Sequence, residues 1–238
     1  MPMLERVVET LHRAPAIEHI GISTDAPELV ANTGGLGTRL ASRQFELLPS
    51  ESSPSASVLA AMASRTVDRP LLLTTADHAL LDDGMLEYFL SAAENGDADL
   101  AVGVVAEDVI RRKFPESKRT YLPFRDHRYS GANLFALRTP KARRVVEFWR
   151  RVEAHRKQPW RLVRAFGLGS LLLFGLRRLD LDAALVRASR TLRAKVCAVP
   201  MPQAEAALDV DRLADYEQAV RILEQRRTSG QSTAVSAP

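Results

Sequence analysis

The sequence has a single cysteine, Cys197, and no long apolar run. One cysteine excludes a disulfide framework and a cysteine metal cluster, and its apolar neighbours predict a buried thiol in a strand. No apolar run approaches the roughly 20 residues that a membrane span needs. Glu5, Glu9 and His12 interrupt the N-terminal segment, so no secretory signal is predicted. These absences favour a cytoplasmic protein. A length of 238 residues predicts one large domain, with two smaller domains as the alternative.

Basic residues are concentrated in one segment of the chain. Between Lys141 and Arg193 there are 14 Lys and Arg against 4 Asp and Glu, which leaves 19 basic and 25 acidic residues elsewhere. Such a segment is typical of a surface for anionic partners such as phosphates, nucleic acid or acidic lipid. The alternative is a pair of solvated helices whose long side chains cover apolar flanks. No nucleic-acid recognition motif is present, so no specific nucleic-acid partner is predicted.

Helical and strand patterns alternate along the first half of the chain. This succession predicts an α/β fold with a doubly wound, mostly parallel sheet. We expect a single domain over residues 1–226, including a basic helical insertion over 141–193, and a disordered tail over 227–238. The patterns predict helices over 4–13, 53–62, 85–93 and 213–225, and strands over 17–23, 45–48, 99–105, 121–124, 132–137 and 196–199.

Asp77 follows the apolar stretch that begins after Pro70. That stretch predicts a buried strand of a parallel sheet, ending in small polar residues and then one carboxylate. Ligands of open α/β sheets bind at the carboxyl ends of the strands, so Asp77 would lie where a metal-bound phosphate is held. The alternative is that Asp77 caps the next helix. Asp82 and Asp83 are better placed as caps, which leaves Asp77 without a structural role.

Asp209 and Asp211 form a second acidic group, between the last predicted strand and the last predicted helix. Alternate side chains of an extended segment point to the same side, so the two carboxylates can share a hard divalent cation. Magnesium is held by one or two protein carboxylates together with substrate phosphates, a demand that Asp77 and Asp211 would satisfy. The structural alternative makes Asp211 an N-cap and Asp215 a first-turn acid that interacts favourably with the helix dipole.

The run Gly34–Leu40 matches, by its letters, the GGxGTR loop that binds nucleoside triphosphates in sugar-nucleotide-forming enzymes. Such a loop leads out of the first strand and lets backbone N–H groups approach phosphates. Here no convincing strand precedes the run, and it follows the first helix. We therefore favour a flexible surface loop over a phosphate-binding one.

With these pieces in order, the chain resembles the MobA-like nucleotidyltransferases, a branch of the NTP transferase family with a GT-A-like fold. The start Met1–Val8 looks like the family's K-P-M-L segment, which follows its phosphate-binding loop. Residues 73–81 (LTTADHALL) look like its metal-binding D-x-P-L-L strand end, with Ala79 in place of proline. Residues 130–135 (SGANLF) are similar to a strand of its acceptor pocket. Residues 209–215 (DVDRLAD) resemble its closing D-x-D-T-P-E-D motif, with three replacements.

This resemblance implies a reaction and a metal. Family members transfer a nucleoside monophosphate from an NTP to a phosphorylated acceptor and release pyrophosphate. The resemblance makes Asp77 and Asp211 the catalytic residues and ligands of Mg²⁺, with Asp209 as a supporting metal ligand. The metal and nearby basic groups would offset the charge that develops on the phosphates.

The resemblance also implies where the two substrates bind. Ser55 and Ser57, at a predicted helix N-terminus, and Thr75, before Asp77, would lie near the nucleotide. Gly131 and Asn133 would face the phosphorylated acceptor. No covalent nucleophile of the enzyme is required.

The family's L-A-G-G-x-G strand and loop would precede Met1. We expect the native reading frame to begin upstream, so that the chain as given is a poor catalyst. The alternatives are a short form that has lost activity and one that reuses the Gly34–Leu40 run. A different class of function keeps the fold without the chemistry, as a catalytically inactive binding or regulatory module. That module would not bind nucleotide in a magnesium-dependent way.

The basic segment 141–193 is not explained by the resemblance. Trp149, Trp160, Phe166 and residues 171–174 are interspersed with arginines, as in helices that lie on a membrane surface. Our hypothesis is that this segment recognises a phosphorylated small-molecule or lipid-linked acceptor, through peripheral membrane contact in the second case. The alternative is a lid or a dimer face whose apolar residues are buried.

Overall fold

The computed structural model describes residues 1–64, 69–117, 119–154 and 178–234. The helices are α1 (Met3–Arg13), α2 (Pro27–Asn32), α3 (Gly34–Ala41), α4 (Pro54–Ser64), α5 (Asp83–Asn95), α6 (Glu107–Lys113), α7 (Ala142–Ala154), α8 (Leu181–Leu192) and α9 (Leu213–Ala234). The strands are β1 (Gly21–Thr24), β2 (Glu46–Pro49), β3 (Leu71–Thr74), β4 (Leu100–Ala106), β5 (Leu122–Pro123), β6 (Arg128–Leu137) and β7 (Val196–Pro200). A 3₁₀ turn over Ala204–Ala207 precedes α9.

The main sheet has the strand order β3-β6-β4-β7, and the short β5 pairs with β6. Strand β6 is antiparallel to β3, β4 and β5, whereas β4 and β7 are parallel. Four of these strands therefore run in one direction and β6 runs against them. Strands β1 and β2 form a separate parallel pair. The predicted α/β class with a mostly parallel sheet is confirmed, and β5 and β6 form a hairpin.

Helix α1 connects the β1–β2 pair to the main sheet. Its neighbouring residues Val7 and Val8 are both buried but belong to different apolar clusters. Val7 packs with Phe89 of α5 and the residues around it. Val8 packs with Ile22 of β1 and Phe45. Burial of each such side chain contributes about 1.5–3 kcal/mol, so both clusters hold α1 in place.

The glycine run Gly34–Leu40 was predicted as a surface loop, and this prediction is wrong. The run forms α3, in which Leu36 is buried. A Cβ atom at Gly37 would collide with the carbonyl oxygen of Ala31, at the end of α2. Glycine at this position therefore lets two consecutive helices pack closely. The run is therefore a helix and not an open loop.

The start of strand β6 and the end of helix α9 also differ from the predicted bounds. Helix α9 continues to Ala234, so the segment predicted as disordered from Arg227 begins as helix. Residues 235–238 lie outside the described part of the chain. Strand β6 begins at Arg128, before the predicted start at Ala132, because it pairs with β5 as well as with β4.

The basic segment is described at its two ends, α7 and α8. Val146 of α7 is buried, and Trp149 stacks on Phe135 of β6 with ring centroids 6.4 Å apart. The apolar side of α7 thus packs against the sheet, while arginines such as Arg150 are exposed. The expectations for Trp160, Phe166 and residues 171–174 fall outside the described residues. None of the described helices is long and apolar enough to cross a membrane.

Candidate active site

Asp77 lies in the turn that connects β3 to α5. The strand ends at Thr74, and the turn is closed by a hydrogen bond from the Leu81 backbone N–H to the carbonyl oxygen of His78, at 3.0 Å. Asp82 is the N-cap of α5, and its carboxylate accepts a hydrogen bond from the N–H of Met85 at 2.9 Å. The predicted capping role of Asp82 is confirmed. Asp77 therefore does not cap the helix.

The turn is also held from the side by α1. Arg6 Nε donates to the carbonyl oxygen of Ala79 at 3.3 Å, and Thr10 Oγ1 donates to that of Leu81, also at 3.3 Å. Within the turn, the hydroxyl of Thr75 donates a hydrogen bond to the carboxylate of Asp77. These contacts fix the backbone around Asp77 and orient its half-buried carboxylate.

The segment after the 3₁₀ turn brings two further carboxylates to Asp77. The N–H of Val210 donates to the carbonyl oxygen of Asp77 at 3.2 Å. One carboxylate oxygen from each of Asp77, Asp209 and Asp211 lies within 4.8 Å of the others. Asp77 and Asp209 are half-buried, and Asp211 is exposed. The three residues predicted as metal ligands therefore come together in space, although more than 130 positions separate Asp77 from the other two.

This donor set fits a small, hard divalent cation. Magnesium binds oxygen ligands at about 2.0–2.1 Å, so ligands on opposite sides of the ion lie about 4.2 Å apart. The three carboxylate oxygens lie within 4.8 Å of one another, a distance comparable to this largest ligand–ligand separation. The exposed side of Asp211 leaves room for water or a phosphate oxygen to complete the coordination.

Asp215 has a structural role next to this group. Its carboxylate accepts a hydrogen bond from the N–H of Arg212 at 3.0 Å, which satisfies a free donor at the start of α9. The predicted interaction of Asp215 with the helix N-terminus is thus present. The residue just before the helix is Arg212, so Asp211 is free of the capping role that the structural alternative assigned to it.

Arg119 is a residue of this site that sequence reasoning missed. It lies between α6 and β5, its side chain is 17% exposed, and its guanidinium forms an ion pair with the Asp209 carboxylate. Burial lowers the pKa of Arg119 from its ordinary value, and the charges of Asp215 and Asp211 oppose that change. The guanidinium remains protonated. No motif marks Arg119 in the sequence, where it is one of many arginines.

His78 follows Asp77 and is 1% exposed. Its Nδ1 atom lies 3.3 Å from Thr74 Oγ1, and its Nε2 atom has no hydrogen-bond partner among the residues described. Burial lowers the pKa of His78 to about 4, so the ring is neutral near pH 7. We interpret His78 as packing beneath the turn. Its neutral ring adds no positive charge that would repel a cation at Asp77.

Asn133 lies at a β-bulge next to the carboxyl end of β3. Thr74, the last residue of β3, pairs with Leu134. On the other side of β6, Val102 of β4 pairs with Phe135, and Val104 pairs with Gly131. The two paired positions are therefore two residues apart in β4 but four residues apart in β6. The two additional β6 residues form the bulge, and Asn133 has φ +47°. Asparagine is one of the few residues that tolerate this left-handed conformation, and such bulges occur next to active sites.

Gly131 lies on the exposed side of the same bulge. No atom lies within 4 Å of the position that a Cβ at Gly131 would occupy. Of the two predicted acceptor residues, Gly131 therefore lies on an open surface, whereas Asn133 is half-buried. The turn with Thr75 and Asp77 leaves the sheet beside them, because Thr74 is paired to the neighbouring residue of β6.

Ser55 and Ser57 have structural partners near the start of α4. Ser55 is fully buried, and its hydroxyl donates a hydrogen bond to the Glu153 carboxylate of α7. A buried hydroxyl held in this way does not support the predicted nucleotide contact of Ser55, which stays a prediction. The half-buried Ser57 hydroxyl accepts a hydrogen bond from the N–H of Glu51 at 2.8 Å, and its contact with nucleotide stays a prediction.

Comparison with known proteins identifies the family. The family model of the MobA-like NTP transferase domain matches residues 1–196. The chain belongs to this family of nucleotidyltransferases. The matched residues include the segments 1–8, 73–81 and 130–135, whereas residues 209–215 lie beyond them. No curated protein matches the sequence significantly.

Solved structures agree with this assignment. A hypothetical transferase from Thermus thermophilus is 29% identical, with a TM-score of 0.72 over 90% of this chain and 85% of the other. A 4-diphosphocytidyl-2C-methyl-D-erythritol synthase from Anaerococcus prevotii has a TM-score of 0.59 at 12% identity, covering 93% and 86% of the two chains. A CMP:2-keto-3-deoxy-manno-octonic acid synthetase complexed with CTP has a TM-score of 0.55 at 12% identity, covering 94% and 88%. The last two show the shared nucleotidyltransferase fold of this MobA-like chain.

Proposed function

We propose that the chain transfers a nucleoside monophosphate from an NTP to a phosphorylated acceptor and releases pyrophosphate, with Mg²⁺ as the metal. The observation that carries this proposal is the convergence of the carboxylates of Asp77, Asp209 and Asp211 within 4.8 Å. In this proposal Asp77 and Asp211 are the direct metal ligands and Asp209 supports them. Their position beyond the carboxyl end of β3 agrees with the general location of ligands in α/β sheets.

The proposed reaction is one in-line displacement at phosphorus. An oxygen of the acceptor phosphate attacks the α-phosphorus of the NTP and forms a new P–O bond. The bond from the α-phosphorus to its bridging oxygen breaks, and that oxygen leaves with the electron pair as part of pyrophosphate. Mg²⁺, when bound, would stabilise the negative charge on the phosphate oxygens. Asp77 and Asp211 need only be ionised and oriented.

The residues around the carboxylates have supporting roles in this proposal. The hydroxyl of Thr75 keeps the Asp77 carboxylate oriented, and Thr75 would lie close to the α-phosphate. Asn133 would bind the acceptor through its side-chain amide, and the open space at Gly131 would admit the acceptor phosphate. Since left-handed backbone at a non-glycine residue is energetically costly, the bulge supports a functional role for Asn133.

The acceptor is proposed to be a phosphorylated small molecule or a lipid-linked phosphate. Exposed arginines of α7 and α8, among them Arg150 and Arg187, create positive potential that attracts such anions. Trp149 does not support a membrane contact, because it is stacked on the sheet. The membrane part of the hypothesis therefore depends on residues between α7 and α8.

A single-turnover assay tests the proposal. Enzyme in excess over radiolabelled NTP detects one turnover even in a slow catalyst, and the assay is run for ATP, GTP, CTP and UTP with a set of sugar, polyol and lipid phosphates. We expect Mg²⁺-dependent pyrophosphate release with one NTP, lost in Asp77→Asn and retained in the control Asp83→Asn. Asp83 is a suitable control because it is a nearby carboxylate that pairs with Arg13 at 3.0 Å. Release that persists in Asp77→Asn would contradict the proposal.

A further inference from the structure

Arg119 neutralises part of a concentrated negative charge. Asp77, Asp209 and Asp211 place three carboxylates within 4.8 Å, and the charge of Asp215 also acts on the guanidinium. Carboxylates at this distance repel one another, and the repulsion is stronger where burial weakens screening by water. The ion pair of Arg119 with Asp209 offsets this repulsion in the absence of a metal.

The same ion pair conflicts with a bound divalent cation. The Asp209 carboxylate that would support the metal already interacts with Arg119. Arginine cannot lose its proton at any ordinary pH, so a metal next to Asp209 faces a fixed positive charge. This repulsion is relieved when the guanidinium moves to another anion. A phosphate group suits that role, because its oxygens match the paired N–H donors of a guanidinium.

We propose that Arg119 is a mobile counter-ion of the site: it pairs with Asp209 before the metal binds and moves to the phosphates of the nucleotide or of pyrophosphate when the metal is present. This inference rests on the proposed function, since it requires that the carboxylates bind a metal together with a phosphate ligand. Arg119 is a positioning residue in this scheme. It lowers the affinity for metal alone and raises the affinity for the phosphate ligand once metal is bound.

Two binding measurements test this role, and we expect the substitution Arg119→Gln to change the two affinities in opposite directions. Mn²⁺, which also prefers carboxylate oxygen, serves as the metal probe and is titrated by electron paramagnetic resonance. In Arg119→Gln we expect Mn²⁺ alone to bind about three-fold more tightly or better, because a competing positive charge is removed. Inorganic pyrophosphate, titrated at saturating Mn²⁺, should bind about ten-fold more weakly, because a charge-assisted hydrogen bond is lost.

Two further variants separate charge from geometry. Arg119→Lys keeps the positive charge but not the planar pair of donors, so Mn²⁺ affinity should stay near the wild-type value while pyrophosphate affinity falls. Arg112→Gln is the matched control, since Arg112 is exposed on α6 and pairs with Asp108 outside the site. It makes the same change in net charge and should leave both affinities unaltered. Thermal unfolding confirms that each variant is folded.

The outcomes distinguish this inference from the proposed function. If Asp77→Asn abolishes Mn²⁺ binding but Arg119→Gln changes neither affinity, the metal site stands and the role of Arg119 is wrong. Weaker Mn²⁺ binding in Arg119→Gln would also overturn the inference, because Arg119 would then help to position Asp209. If the wild-type protein binds no Mn²⁺, both the metal site and the inference fail.

Discussion

The backbone N–H of Val210 donates a hydrogen bond to the carbonyl oxygen of Asp77, at 3.2 Å. This contact joins the turn after β3 to the segment before α9. It places Asp209 and Asp211, the residues on either side of Val210, close to the Asp77 carboxylate. Main-chain pairing thus brings the acidic groups together, and their charge repulsion is offset by Arg119.

Substitutions at Asn133 distinguish the role of its backbone conformation from the role of its side chain. Asn133→Gly tolerates φ +47° and should change the free energy of unfolding by less than about 0.5 kcal/mol. Asn133→Val places a β-branched residue in the left-handed region and should lower the free energy of unfolding by about 1–2 kcal/mol. Urea unfolding of both variants measures these changes.

The side chain of Asn133 is tested by the same glycine variant. If the amide binds the acceptor, Asn133→Gly should slow single-turnover transfer about ten-fold at subsaturating acceptor, since one hydrogen bond to a charged group is lost. An unchanged transfer rate in this folded variant would assign Asn133 to backbone geometry alone.

Glu205 should give the protein a measurable acid sensitivity. Its side chain is 7% exposed and pairs with Lys113 at 2.5 Å. Burial raises the pKa of Glu205, but the hydrogen bond from Lys113 and the charge of Arg226 outweigh burial and lower it. The stabilisation is therefore present above the unfolded-state pKa and is lost as the pH falls through the folded-state pKa.

The comparison of Glu205→Gln with the wild-type protein isolates this effect. At pH 7 the free energy of unfolding of the variant should be lower by about 2 kcal/mol. This effect is smaller than for a fully buried ion pair, because Lys113 is more than half exposed. At acidic pH below the folded-state pKa, the two proteins should approach equal stability. A difference that is the same at both pH values would show that the charge of Glu205 does not stabilise the fold.

Gly37 provides a test of the close contact between α2 and α3. An alanine usually stabilises a helix by about 1 kcal/mol relative to glycine, but here its Cβ would collide with the carbonyl oxygen of Ala31. We expect Gly37→Ala to lower the free energy of unfolding by at least about 1 kcal/mol. The control Gly84→Ala in α5 has its nearest atom at 3.6 Å and should be neutral or stabilising. Equal effects of the two substitutions would argue against tight packing at Gly37.

Trp149 distinguishes core packing from membrane contact. Because it stacks on Phe135, Trp149→Ala should lower the free energy of unfolding by about 2–3 kcal/mol. Sedimentation with vesicles of anionic lipid should be the same for the variant and the wild-type protein at low salt. Loss of vesicle binding without loss of stability would instead assign Trp149 to a lipid surface.

Local patterns predicted the elements whose signals are contained in a few residues. Asp82 as a helix cap and the strand that contains Cys197 follow from local spacing, and both are present. The glycine run was misread because its reason lies in the contact between Gly37 and Ala31 of the neighbouring helix. Tertiary contacts of this kind leave no periodic signal in the sequence.

In the candidate site, too, local sequence predicted some residues, whereas other contacts depend on tertiary packing. Asp77, Asp209 and Asp211 were predicted from strand ends and from a family motif, and the structure brings them together. The partnership of Arg119 with Asp209 depends on how a segment without a motif folds over the site. The burial of Ser55 depends on the packing of α4 against α7, with Glu153 as its partner. Neither relationship is visible from local sequence.

Titration of the protein with NTPs, with and without Mg²⁺, tests the central claim most directly. Isothermal titration calorimetry of ATP, GTP, CTP and UTP should show that one of them binds in a Mg²⁺-dependent way. This binding should be lost in Asp77→Asn and kept in Asp83→Asn. If no NTP binds in a Mg²⁺-dependent way, or if Asp77→Asn binds as well as the wild-type protein, the account of the site is contradicted and a role as a binding module is favoured.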